Sequence, residues 1–108
     1  MATYIITRTS NNQFRWVLKS GNHETLLVSE TYQTNYGART GIASSKVSTN
    51  DSNFIRKTSV ASEPYFVQVA NNHETIGVSE MYSSTYARDN GIAAVKREAP
   101  TATIDDRS

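Results

Sequence analysis

Residues 51–100 restate residues 1–50 without a gap, and this internal repeat limits the possible folds more than any other feature of the chain. Asn22-His23-Glu24-Thr25 returns 50 positions later as Asn72-His73-Glu74-Thr75. At the same offset Val28-Ser29-Glu30 falls on Val78-Ser79-Glu80, Tyr32 on Tyr82, Tyr36 on Tyr86, Gly41-Ile42-Ala43 on Gly91-Ile92-Ala93, and Lys46 on Lys96. Upstream, Tyr4-Ile5 meets Phe54-Ile55 and Trp16-Val17 meets Phe66-Val67. Two copies are too few for a solenoid, whose neighbours stack in series. The whole chain is 108 residues, the size of one small domain, and only 37% of it is apolar. A domain so small and so polar has material for one thin core. The two copies are therefore expected to share it, residues 1–50 as the first repeat and 51–108 as the second repeat with a C-terminal tail.

Within one repeat the pattern is β-β-β-α. Tyr4-Ile5-Ile6-Thr7 and Phe54-Ile55-Arg56-Lys57 have the aromatic and β-branched content of strands. After the polar turn Ser10–Gln13, Phe14, Trp16 and Leu18 alternate, which puts three large apolar groups on one strand face. The second copy keeps Phe66 there but has Pro64 and Gln68 beside it. Proline cannot donate to a ladder, so that strand is expected to begin after Pro64 or to lie at an edge. Gly21–Glu24 and Asn71–Glu74 read as hairpin turns, with His23 and His73 able to take positive φ. The third strands are Thr25–Ser29 and Thr75–Ser79, with Leu26, Val28, Ile76 and Val78 toward the core. Thr34 and Ser84 are placed to cap helices running over about residues 35–46 and 85–97. Ala38, Ile42 and Ser45 line one helix face, Ile92 and Val95 the other. Gly41 and Gly91 sit inside these helices at a cost of about 1 kcal/mol each relative to Ala, which points to close packing of helix backbone on the sheet. Thr101–Ile104 has the content of a last short strand, and Asp105–Ser108 that of a frayed tail.

Read together, an aromatic-x-aromatic-x-Leu-Lys strand (Phe14, Trp16, Leu18, Lys19), an Asn-x-Glu turn (Asn22, Glu24), Val28-Ser29-Glu30 with Tyr32, and Gly41-Ile42 with Lys46 resemble the YegP-like family of small, functionally uncharacterised bacterial proteins. The second copy repeats most of them, ending in Gly91-Ile92, Val95 and Lys96. The resemblance implies two β(3)-α-β units, as tandem repeats or as two subunits, forming one mainly antiparallel sheet, with exchange of the strands that follow the helices. It supplies no catalytic residues. The chain departs from the family pattern at His23 and His73, where Gly is frequent, at Ser45, where Val is usual, and at Gln68, where Leu is usual.

The composition narrows the function classes. Eleven basic against ten acidic residues leave a net charge of +1, with no basic stripe of the kind a dedicated nucleic-acid protein shows. There is no cysteine, hence no disulfide or thiolate chemistry. No apolar run approaches the ~20 residues that cross a bilayer, and Met-Ala-Thr-Tyr does not open a signal peptide, so a cytoplasmic protein without a membrane partner is expected. His23-Glu24 and His73-Glu74 would hold a metal for hydrolysis only if both hairpin tips converged, since neighbours on an extended segment point to opposite faces. Tyr32, Tyr36, Tyr82 and Tyr86 with Arg39, Arg88, Lys46 and Lys96 define a weaker alternative, a surface for single-stranded nucleic acid. The best-matched polar set is Ser29, Glu30 and Tyr32 with Ser79, Glu80 and Tyr82. These six are the candidate ligand-binding residues, although Glu30 and Glu80 also suit helix N-termini electrostatically and Ser29 and Ser79 suit local backbone bonding. No nucleophile–base pair, metal cage or phosphate loop stands out, and no cofactor is implied. The expectation is a monomeric, non-enzymatic scaffold that binds a protein or small-molecule partner.

Overall fold

The computed structural model describes the whole chain, Met1 to Ser108. Its strands are β1 (Thr3–Arg8), β2 (Phe14–Lys19), β3 (Thr25–Ser29), β4 (Phe54–Thr58), β5 (Pro64–Val69), β6 (Thr75–Val78) and β7 (Thr103–Asp106). Its helices are α1 (Asn35–Val47) and α2 (Thr85–Glu98). The strands form one seven-stranded sheet in the order β4-β5-β6-β3-β2-β1-β7. Each repeat is thus an antiparallel meander followed by a helix, and the two meanders join through β3 and β6, where Val28 pairs with Val78 across the pseudo-twofold. β7 follows α2 but pairs with β1 of the first repeat, in parallel. That is the exchange the family resemblance implies.

Local chemistry accounts for the elements. The Thr34 and Ser84 hydroxyls accept from the backbone N–H groups of Gly37 and Ala87 at 2.9 and 3.0 Å, each satisfying a donor that the first helical turn leaves free. Four hairpin positions have positive φ and none is glycine: Asn12, His23, Ser62 and His73, at 65–70°. His23 and His73 therefore take the left-handed conformation that suits glycine, the residue the family resemblance leads one to expect there.

Three expectations need correction. The third strand does not alternate simply. Leu18 pairs with Leu27 but Lys19 with Thr25, so Leu26 sits in a bulge, and the same shift recurs between Gln68 and Val69 opposite Ile76. The bulge turns both Leu26 and Leu27 inward and leaves Val28 and Val78 only half-buried. Pro64 is the first residue of β5, an interior strand, and pairs with Thr58. Its carbonyl accepts from Tyr82 N–H at 2.8 Å, but it lacks the donor by which Phe14 completes the equivalent two-bond bridge to Tyr32. Asp105 and Asp106 are not a frayed tail but the second half of β7.

The core draws seventeen buried residues from both repeats and lies between the sheet and the two helices. Trp16, Phe66, Tyr4, Ile42 and Val95 are among its closed-off side chains. Tyr4 meets Trp16 edge-on at 5.1 Å, and the counterpart pair Phe54–Phe66 does so at 5.9 Å. Tyr4 on β1 and Gln68 on β5 both hydrogen-bond Ser45 of α1, although their strands are four places apart in the sheet. The sheet therefore curls strongly around the helices. On its other face a row of β-branched residues runs from strand to strand: Ile55, Val67, Val78, Val28, Val17 and Ile5, each paired with the next.

Candidate functional site

The Ser-Glu-x-Tyr segments leave the sheet at β3 and β6 and enter the helices. Ser29 and Ser79 are buried there. Ser29 Oγ accepts from Trp16 N–H at 2.9 Å and donates to the Glu30 carbonyl at 2.7 Å. Ser79 Oγ repeats both bonds, with Phe66 N–H and the Glu80 carbonyl. Each hydroxyl thus stands in for a strand neighbour where the chain turns away from the ladder, and both its bonds are taken by backbone.

Tyr32 is fixed by the backbone bridge to Phe14, and its ring rests on α1 at Gly41. A Cβ on Gly41 would collide with the Tyr32 hydroxyl and ring, and one on Gly91 with those of Tyr82. The glycines are required by these tyrosines more than by the sheet backbone expected from the sequence. The Trp16 indole N–H is buried behind the same glycine, 3.1 Å from where that Cβ would be, and faces the Tyr32 hydroxyl without reaching good hydrogen-bond geometry. Burial, chiefly, raises the Tyr32 phenol above its ordinary pKa; Trp16 opposes this and the Glu30 charge adds to it. Tyr82 is raised in the same direction by burial and then by the charges of Glu24 and Glu80. Glu24 belongs to the other repeat, so the two repeats meet at this point.

The repeats meet in the same way at Tyr32, where they form a groove. Glu30, Tyr32, Tyr36 and Thr40 of the first repeat face Asn72 and Glu74 of the second across about 480 Å³. Its lining holds two carboxylates and no Lys, Arg or His. Its pseudo-symmetric counterpart lies between Tyr82, Asn90 and Gly91 and the hairpin of the first repeat at Glu24 and Leu26, with about 280 Å³. Beside it is a further hollow of about 320 Å³ into which Arg97 and Glu98 project, and Glu98 accepts from Gly21 N–H at 3.3 Å. The first groove has the larger volume of the pair, and its lining lacks any counterpart of Arg97. Of the six residues singled out from sequence, Glu30, Tyr32 and Tyr82 line a groove, Glu80 acts on Tyr82 by its charge, and the two serines hold the backbone behind.

Sequence reasoning passed over Glu74 and Asn72 as ligand contacts. Glu74 stood out only beside His73 as a metal ligand and Asn72 only as part of a turn, because a repeat compared with itself does not say which parts of the two copies will touch. The other candidate clusters have different surroundings. No three His, Cys, Asp or Glu side chains converge in a metal-holding group. Arg39 is bonded to Asp106 and Arg88 to Asp89, while Lys46 donates to the Ala102 carbonyl and Lys96 pairs with Asp51. No helix is long and apolar enough to cross a membrane.

Two tandem β-β-β-α repeats, one curled sheet and a strand returned to the first repeat define a class of small two-repeat α+β proteins. The chain belongs to the UPF0339 (YegP) family: the family described as Domain of unknown function (DUF1508) matches residues 9–53 and 59–106, once for each repeat. A UPF0339 protein of Bordetella pertussis is 43% identical over 109 residues, spanning 100% of this chain and 98% of its own. One from Acinetobacter baylyi is 42% identical over 104 residues, covering 95% and 94%. Among solved structures, the solution structure of UPF0339 protein SO3888 from Shewanella oneidensis superposes with a TM-score of 0.91 at 42% identity, covering 97% of this chain and 90% of that one. The solution structure of yegP from Escherichia coli, a protein of unknown function, gives 0.92 at 38% identity, covering 98% and 92%.

Proposed function

We propose that this protein is a non-enzymatic binding scaffold of the cytoplasm, acting as a monomer, whose groove between the two repeats receives a small organic cation. The observation that carries this reading is the groove's lining: Glu30 and Glu74 face it from different repeats, Tyr32 and Tyr36 supply aromatic surface, and no cationic side chain competes for the carboxylates. Its volume of about 480 Å³ falls within the usual range of small-molecule sites. An ammonium or guanidinium group is attracted both by the carboxylates and by the faces of tyrosine rings. Metabolites bearing phosphate or several carboxylates are repelled by the same lining. A scaffold role is supported by the serines and caps, whose polar groups are engaged in structure rather than held ready for chemistry.

The test is calorimetric titration with matched pairs of small molecules, a quaternary ammonium or guanidinium compound against its neutral isostere. The cation binds and the isostere does not, and Glu30→Gln with Glu74→Gln removes the difference. Equal binding of both members of a pair, or preference for anions, contradicts the proposal.

A further inference from the structure

The pseudo-twofold leaves one place in the sheet unfilled. β7 lies beside β1 in parallel, each residue pairing with the one 100 positions earlier: Thr103 with Thr3, Ile104 with Tyr4, Asp105 with Ile5 and Asp106 with Ile6. Thr103 N–H donates to the Ala2 carbonyl at 3.1 Å and Arg107 N–H to the Ile6 carbonyl at 2.8 Å. Arg39 of α1 then reaches over to Asp106 at 2.8 Å. β4 is the counterpart of β1 at the opposite end of the sheet, and no strand lies on its outer side. The reason lies in the chain's order. The segment after α2 is free to become β7, whereas the segment after α1 is itself β4, so the chain is one strand short of full symmetry.

We propose that the outer edge of β4 is a docking site for an extended acidic segment of a partner protein, added parallel to β4 as β7 is added to β1. An open edge offers a row of backbone donors and acceptors, the basis of recognition by strand addition. The side chains set which strand is accepted. Arg56 and Lys57 stand where β1 has Ile6 and Thr7, and both are exposed. Arg56 pairs with Asp89 of α2 at 3.0 Å, and the same carboxylate also takes the largely buried Arg88 at 3.2 Å. Asp89 is thus shared between two guanidinium groups and Lys57 has no carboxylate partner, which leaves an excess of positive charge along β4. Two copies pairing β4 to β4 would bring Arg56 and Lys57 against their like, which disfavours that alternative. The chain's own β7 supplies the strand to imitate, Ile104 followed by Asp105 and Asp106; at β4 the acids would meet Arg56 and Lys57, since Asp89 stands at the position of Arg39.

The experiment uses the full-length protein labelled with ¹⁵N and the synthetic peptide Thr-Ala-Thr-Ile-Asp-Asp-Arg-Ser, capped at both ends. The expected result is a saturable shift of the Phe54–Thr58 amides. A peptide with both Asp residues replaced by Lys binds about tenfold more weakly, and Arg56→Glu with Lys57→Glu reverses that preference. Shifts confined to Thr3–Arg8 would mean that the peptide only displaces β7, and would overturn the proposal. So would silence at millimolar peptide. Concentration-dependent shifts of the β4 amides without peptide would also overturn it, in favour of a second copy of the chain. The groove's response to cations is independent of this edge, so either proposal can fail alone.

Discussion

Ser45 Oγ donates to Oε1 of Gln68 at 2.8 Å inside the core. These are the two positions where the family resemblance leads one to expect Val and Leu, and the two polar side chains touch. Tyr4 adds its hydroxyl to Ser45 at 2.7 Å, and Gln68 Nε2 donates to the Ser45 and Ser48 carbonyls at 3.0 and 2.8 Å. The pseudo-symmetric positions are Phe54, Val95 and Leu18, so one end of the core is hydrogen-bonded where the other is oily. Breaking the network from one side leaves a buried polar group alone, which costs about 1–3 kcal/mol. Ser45→Val and Gln68→Leu should each destabilise by that much. Together, with Tyr4→Phe, they should cost much less than their sum, as denaturant melts of the singles and the triple will show.

Burial pushes the Tyr4 hydroxyl up to about 12, against the opposing influence of Ser45. A phenol raised in the folded state contributes stability below its unfolded value, about 10. That contribution should fade as pH rises from there through about 12. Tyr4→Phe should flatten this alkaline limb in a series of pH-dependent melts.

The contact between Tyr32 and Gly41 makes a second test. Alanine is the better helix former by about 1 kcal/mol. Gly41→Ala should nonetheless lower stability by about 1 kcal/mol, because its methyl group meets the Tyr32 ring. In a Tyr32→Ala background the same change should cost less. Thermal melts of the four proteins measure the coupling.

Ser62 and His73 have φ of 65° and 69° in hairpin turns. The left-handed region costs a residue with a Cβ about 1 kcal/mol or more. Ser62→Gly and His73→Gly should therefore raise stability by a few tenths to about 1 kcal/mol, and urea midpoints decide it.

Asp106 ties β7 to α1. Bonds from the Ser108 hydroxyl and N–H, then from Arg39 and Asn35, hold its carboxyl well below the ordinary carboxylate range. The depressed value means that its contribution is complete above about pH 4 and is lost only as pH falls through the folded value. Amides of Thr103–Asp106 should stay protected from exchange into mildly acid solution and open under stronger acid. Asp106→Asn should abolish that acid dependence locally.

Much of the fold was legible because the repeat shows each element twice. A helix cap at Thr34 is easier to trust when Ser84 occupies the same place, and both caps form. What escaped was of two kinds. The bulge that turns Leu27 inward in place of Val28 follows from the pairing of Leu18 and Lys19 with β3, which no local pattern records. The same holds for β7, whose acidic residues look like a tail until Arg39 and the edge of β1 are placed beside them. The site was half legible. Glu30 and Tyr32 stood out by repetition, but Glu74 became their neighbour only when the second hairpin folded against the first helix.

The most direct test of the shared groove is a ¹⁵N NMR titration with tetramethylammonium. Shifts are expected to saturate together at Tyr32 and Gly41 of the first repeat and at Asn72 and Glu74 of the second, and to vanish in Glu74→Gln. Shifts scattered over exposed carboxylates without saturation, or confined to one repeat, would contradict it.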